Sequence, residues 1–168
     1  MRFSWLAAAL LVLAGHAAAQ LAPPDPDWKE SEAPRPPAPK TTHLIPVEIP
    51  GTTLRYGIDP ESVTLGSDGV VRYVVIASSN TGAVNALYEG IRCSTGEARI
   101  YARHNPDSGW SPASDLSWTP LQQSRPSGHS LAIARNGVCL GRSANRSVAQ
   151  ILQDLRSPVD RRFNNAGN

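Results

Sequence analysis

Residues 70–78 read Val-Val-Arg-Tyr-Val-Val-Ile-Ala-Ser. As a strand this run is largely apolar on both faces, with Val70, Arg72, Val74 and Ile76 on one side and Val71, Tyr73, Val75 and Ala77 on the other. Such a strand sits in the middle of a sheet, so the chain around it must supply neighbours. Gly66-Ser67-Asp68-Gly69 before it and Asn80-Thr81-Gly82 after it are turn sequences. Residues 83–93 and 98–103 follow as strands separated by Ser94-Thr95-Gly96, which gives a three-stranded antiparallel meander. Residues 44–49 and 53–58 add short strands upstream, with Pro46 and Pro50 limiting the first to an edge or a strand end. Residues 131–134 are expected to add one more.

Beyond His104 the chain reads as irregular, because Pro106, Gly109, Pro112, Pro120, Pro126 and Gly128 interrupt every long element. Residues 146–156 differ: Val148, Ile151, Leu152 and Leu155 recur at i, i+3, i+4 and i+7, with Asn145 or Ser143 available as cap and Pro158 beyond the end. The expected fold is α+β, a small antiparallel meander of about five strands with one C-terminal amphipathic helix.

The first residues are not expected to join that fold. Arg2 supplies a positive start, residues 3–14 an unbroken apolar run, and Ala17-Ala18-Ala19 a small-residue site, so an export signal over residues 1–19 is cut between Ala19 and Gln20. The run is shorter than the ~20 residues of a membrane-spanning helix, and no comparable run follows. No integral membrane segment is therefore expected after cleavage. Export sets the reading of the two cysteines, Cys93 and Cys139, as a disulfide, since an oxidising compartment lets the pair persist. Closing a loop of that length restrains the unfolded chain by about 4 kcal/mol in the chain-entropy picture. A metal site is disfavoured because no histidine lies near either cysteine, and no cofactor is implied.

Residues 20–43 carry seven prolines among Asp, Glu, Lys and Ala and read as a disordered tether, either a spacer or a poorly ordered N-terminus. Trp28 within it docks on the body or meets a partner. The domain proper is expected over residues 44–158, and residues 159–168 as a disordered tail. With 16 Lys and Arg against 14 Asp and Glu, dispersed along the chain, there is no electrostatic basis for nucleic-acid binding.

No nucleophile elbow, phosphate loop or helical zinc motif is present. Ser127-Gly128-His129-Ser130 places a histidine beside two serines, but adjacency alone does not build a nucleophile, base and orienter, and it reads as a polar loop. In Tyr88-Glu89-Gly90-Ile91-Arg92-Cys93, strand alternation puts Glu89 among apolar neighbours, where a carboxylate needs a partner, Arg72 or Arg99 from a neighbouring strand, or else a raised pKa. Gly90 leaves room for a ring or backbone to approach. Trp110 and Trp118 either seal one side of the core or form an aromatic recognition patch with Tyr88 and Arg92 as polar anchors. The candidate binding residues are thus Tyr88, Glu89, Arg92, Trp110 and Trp118, with no catalytic set assigned.

Asp68-Gly69-Val70-Val71-Arg72-Tyr73, then Tyr88-Glu89-Gly90-Ile91-Arg92-Cys93, residues 98–102, Trp110 and Trp118 together resemble the CNP1-like (cryptic neisserial protein) family over residues 44–140. The resemblance implies an exported, periplasmic protein of the Gram-negative cell envelope and transfers no activity or catalytic residue. The chain departs from lipoprotein members in having Gln20, not cysteine, after its signal. The functional expectation is a non-enzymatic binding or interaction module whose partner is an unknown envelope protein or small ligand. The alternatives are a small envelope hydrolase using Glu89 as acid or base, and a structural subunit of an envelope complex.

Overall fold

The computed structural model describes residues 25–123 and 128–157. The expected signal and its cleavage site, Ser127 and the tail at 159–168 lie outside the described residues. Six strands follow one another across an antiparallel meander: β1 (Ile45–Val47), β2 (Arg55–Leu65), β3 (Val70–Ser78), β4 (Val84–Arg92), β5 (Glu97–Asn105) and β6 (Gly109–Pro112). A two-residue strand, β7 (Thr119–Pro120), also pairs with β5, at Glu97 and Ala98. The α+β class and the β3–β4–β5 meander are as the sequence predicts. Residues 109–112 and 119–120, expected to be irregular, pair with β5 instead. Gly109 supplies the left-handed turn residue that returns the chain along the strand it has just left.

All of β3 but its last residue is buried. Every residue from Val70 to Ala77 is 8% exposed or less. On one face Val71, Tyr73 and Val75 pack with Tyr56, Ile58 and Ile91 beneath Ile133, Val138, Ile151 and Leu155. On the other face Val74 and Ile76 pack with Ala86, Tyr88 and Ala102. At about 1.5–3 kcal/mol per buried aliphatic side chain, two-sided cover of this one strand is a large part of the driving force. β2 reaches β3 through an irregularity between Asp59 and Thr64. There Ser62 Oγ donates to the Asp59 carbonyl at 2.6 Å and accepts from the Val74 amide at 2.8 Å, so a hydroxyl stands in for the missing ladder partner.

After β7 come a short helix α1 (His129–Ile133), a wide turn over Ala134–Val138, the hairpin β8 (Cys139–Leu140) and β9 (Ser143–Ala144), and helix α2 (Val148–Arg156). The expected strand at 131–134 is corrected: Leu131 to Ile133 are helical and Ala134 opens the wide turn. Four consecutive apolar residues carry no periodicity that separates strand from helix, and here one turn suffices to lower Ile133 onto the sheet. The α2 cap is also corrected to Ser147, which is extended and accepts from the Gln150 amide at 3.2 Å. Asn145 is buried instead and donates to the Gly137 carbonyl and to Asp154, tying the wide turn to α2. The Cys93–Cys139 disulfide is present, with Cα atoms 5.7 Å apart, and fastens this C-terminal unit to the end of β4.

Residues 25–43 correct the expectation of a disordered tether. They form no helix or strand, as their prolines require, yet they lie across the second face of the sheet. Trp28 Nε1 donates to the Asp68 carbonyl at 2.9 Å, the Ser31 amide donates to Asp68 Oδ2 at 2.9 Å, and Ala33 packs on the second apolar cluster. A composition too poor to build a core can still cover one. The strap bends into β1 at His43, whose φ of 58° makes it the one non-glycine residue in the left-handed region among the described residues, at a cost of about 1 kcal/mol.

Gly137 is the contact on which α2 seats. A Cβ there would lie 2.9 Å from the Leu155 amide nitrogen and 3.1 Å from the Ile151 carbonyl oxygen, both backbone atoms of α2. Gly137→Ala is therefore expected to displace the helix and destabilise the fold by about 1–3 kcal/mol, read as a lower denaturant midpoint at unchanged slope.

Candidate functional site

Strand register decides which predicted residues can meet. Tyr73 pairs with Glu89 and Arg72 with Gly90, so Glu89 points to the helix-covered face, while Arg72, Tyr88 and Arg92 point to the strap-covered face. The five candidates therefore do not form one patch: Glu89 stands apart from Tyr88, Arg92, Trp110 and Trp118.

Glu89 is 1% exposed, and its expected partners are corrected. Arg72 and Arg99 belong to the other face, and the carboxylate is met from across β3 and from α1. Tyr73 Oη donates to Oε2 at 3.1 Å, Ser130 Oγ donates to Oε2 at 3.2 Å, and His129 Nε2 lies 2.8 Å from Oε1. The His129 ring stacks on Tyr56, with centroids 5.1 Å apart and planes 14° from parallel. Burial pushes the Tyr73 phenol well above its ordinary value, and the Glu89 charge adds to this, with Ser130 opposing. His129 and Ser130, read from the sequence as a polar loop, are thus functional candidates. The signal for them was the adjacent His-Ser pair, which cannot be linked to Glu89 without the fold.

A cleft of about 390 Å³ opens over this cluster between β4, β5, α1 and residues 113–119. Glu89, His129 and Ser130 line it together with Leu87, Ile100, Arg99, Arg103 and Asp115. The Ser130 hydroxyl and the His129 imidazole are both directed at the Glu89 carboxylate, which sits between them. This arrangement can present a fixed imidazole and hydroxyl to a small molecule. It differs from a nucleophile relay, in which the imidazole would sit between the hydroxyl and the acid.

On the opposite face the strap brings Glu30 to a recess. Its carboxylate accepts from Arg72 Nη2 at 3.3 Å and from Tyr101 Oη on one oxygen, and from Arg99 Nη1 and from Trp118 Nε1 at 3.3 Å on the other. Gly90 leaves the space for Tyr101, since a Cβ there would lie 2.8 Å from the ring and its hydroxyl. Arg72 also binds Asp68 at 2.7 Å, with both side chains nearly inaccessible. Burial works against the Asp68 charge, but the hydrogen bonds from Arg72, Val70 and Ser31 outweigh it and hold the carboxyl below its usual value. Burial likewise opposes the Arg72 charge, and Asp68 restores it and raises the guanidinium pKa further. Arg92 lies 3.6 Å from the Trp28 ring centroid, Trp110 Nε1 donates to the Pro37 carbonyl at 2.8 Å, and Tyr88 is buried against Tyr101 and Trp110. Three of the five candidates, Arg92, Trp110 and Trp118, therefore hold the strap directly, and Tyr88 lies beneath them. Trp110 packs against the second apolar cluster, and Trp118 bonds Glu30 and meets Trp28 edge-on.

Two pH responses follow. A phenol raised in the folded state favours folding below its unfolded value of 10.0 and opposes it above, so stability should fall at alkaline pH. Tyr73→Phe should flatten that loss while costing about 1–2 kcal/mol at neutral pH, measured by denaturation at several pH values. A carboxyl lowered in the folded state contributes stability above its unfolded value of 3.8 and loses it as pH falls through the lower folded value. Strap release in acid, followed by Trp28 fluorescence, should be blunted in Asp68→Asn.

Among the described residues no helix is long and apolar enough to cross a membrane. Comparison with curated proteins and with solved structures returned no match. The profile of the CNP1-like family matches residues 24–156, a span that begins at the strap and ends with α2. The chain therefore belongs to the CNP1-like family.

Proposed function

We propose that this protein is an exported, periplasmic binding module of the Gram-negative cell envelope that holds a small molecule in the cleft above Glu89, without turning it over. The observation that carries this reading is a carboxylate buried to 1% in the lining of an open cleft and met by tyrosine, serine and histidine. Burying an ionisable group is costly, and packing alone would be served as well by an apolar residue of similar volume. A polar cluster under a cavity is what ligand orientation calls for. Export is supported by Arg2, the apolar run at 3–14, the alanines before Gln20, and the disulfide.

The hydrolase reading has one point in its favour, since Ser130 Oγ is bound to a carboxylate that could accept its proton. Against it, the same carboxylate also accepts from Tyr73 and lies against His129, so its oxygens are already engaged by three groups. The structural-subunit reading through a free tether loses support, because the segment from residue 25 onward is docked.

The test uses the small-molecule fraction of a periplasmic extract as probe, with capture read by native mass spectrometry. Wild type should retain a compound that His129→Ala and the cleft-filling Ala113→Trp do not, at closely similar melting temperatures. Absence of capture by wild type defeats the binding reading. Loss of a measurable turnover in Glu89→Gln, with the melting temperature kept, would establish the hydrolase instead.

A further inference from the structure

The strap is held in a way that another copy of the chain can reproduce. Four donors, one on β3, two on β5 and one on the stretch before β7, converge on the Glu30 carboxylate, and Trp28 lies over Arg92. Every one of these contacts is made by side chains of the strap or of its dock. Among the described residues no backbone-to-backbone hydrogen bond joins residues 25–43 to the sheet, so register with the strap's own β1 contributes nothing to the recognition. The dock is also unsaturated: Arg72 Nε and Arg99 Nε are buried without an acceptor among the described residues.

The connector supplies the second observation. The last polar anchor of the strap is the ion pair of Lys40 with Glu61 on β2, and β1 starts at Ile45. Between them the chain bends at residues 42–43, with His43 in a left-handed conformation that a β-carbon disfavours. A short connector under backbone strain favours the extended alternative in which its segment reaches a neighbouring molecule.

We propose that this face is an interface between two copies of this chain, in which residues 25–43 exchange and the Glu30 carboxylate of each copy enters the Arg72, Arg99, Tyr101 and Trp118 recess of the other. A second copy offers the identical segment, so charge and shape complementarity are already present in the closed form. Exchange keeps every contact of the closed form and replaces the bend at His43 with an extended connector. The equilibrium is then set by concentration and connector length.

The experiment is sedimentation velocity over a range of concentrations on the chain lacking residues 1–19. It compares wild type with a variant from which Thr41 and Thr42 are deleted, so that the connector can no longer turn back. Wild type should show a concentration-dependent dimer, and the shortened chain should reach the same dimer fraction at a concentration at least tenfold lower. A shortened chain that stays folded and monomeric overturns the proposal.

A charge-reversed pair gives a second decision that does not depend on the deletion variant folding. Glu30→Arg and Arg99→Glu each break the latch within their own chain, and mixing them restores it only across two chains. A stable 1:1 complex on mixing supports exchange. No complex on mixing, together with recovered stability when both substitutions are placed in one chain, confines the latch to a single molecule. Binding of a synthetic peptide of residues 24–43 to the Glu30→Arg chain without any dimer in the wild type assigns the face to a separate acidic partner, and also overturns exchange.

Discussion

The constraint on which the rest depends is that β3 is buried on both faces. A sheet whose middle strand carries valine, tyrosine and isoleucine on alternate sides cannot leave either side to water, and an antiparallel meander with one helical unit covers only one. The C-terminal unit of α1, the wide turn and α2 takes the first side, held by Asn145, by Gly137 and by the disulfide to β4. The second side falls to a segment that could not fold by itself. Proline removes the option of a strand, so the cover is an extended strap fixed by side-chain hydrogen bonds in place of a ladder.

Each face of the sheet carries a carboxylate at the centre of a hydrogen-bond cluster, Glu30 on one and Glu89 on the other, and the two differ in the kind of partner they meet. Glu30 meets two guanidiniums, a phenol and an indole, and this charged clasp fastens one segment to another. Among the described residues Glu89 meets no arginine or lysine. Its partners are a phenol, a hydroxyl and an imidazole, groups that can reorganise their hydrogen bonds around a bound molecule, and they stand under open space. A residue that served only to fix strand register would be better placed with the arginines one position away on the other face.

Most of the sheet was legible because its signals are local. Turn residues at 66–69, 80–82 and 94–96, and two-residue alternation in between, determine the β3–β4–β5 meander and put Glu89 and Arg92 on opposite faces. The spacing of Val148, Ile151, Leu152 and Leu155 likewise announces α2. What was not legible depends on pairs distant in sequence. Glu89 and His129 are 40 positions apart, and Glu30 and Trp118 are 88 apart. Alternation says that Glu89 needs a partner but cannot say which, and the nearest basic residues in adjacent strands are the natural guess that register then forbids. The strap was misread for a related reason: composition reports whether a segment can bury a core of its own, and is silent on whether it can be buried by another.

The two faces are joined through one stretch of chain. Trp118 binds Glu30 on the strap side, while Ser114, Asp115, Ser117 and Thr119 beside it line the cleft. Arg99 likewise holds Glu30 and contributes to the cleft lining. Among the described residues, the stretch from Ala113 to Trp118 is tied down by the Ala113 amide on the Tyr101 carbonyl, by the Ser117 amide on Asp115, and by Trp118 on the strap. Only the first and last of these connect it to other elements. The stretch that lines the cleft is thus held at one end by β5 and at the other by the strap. The family match takes in this segment ahead of the first strand, which covers the second face of the sheet.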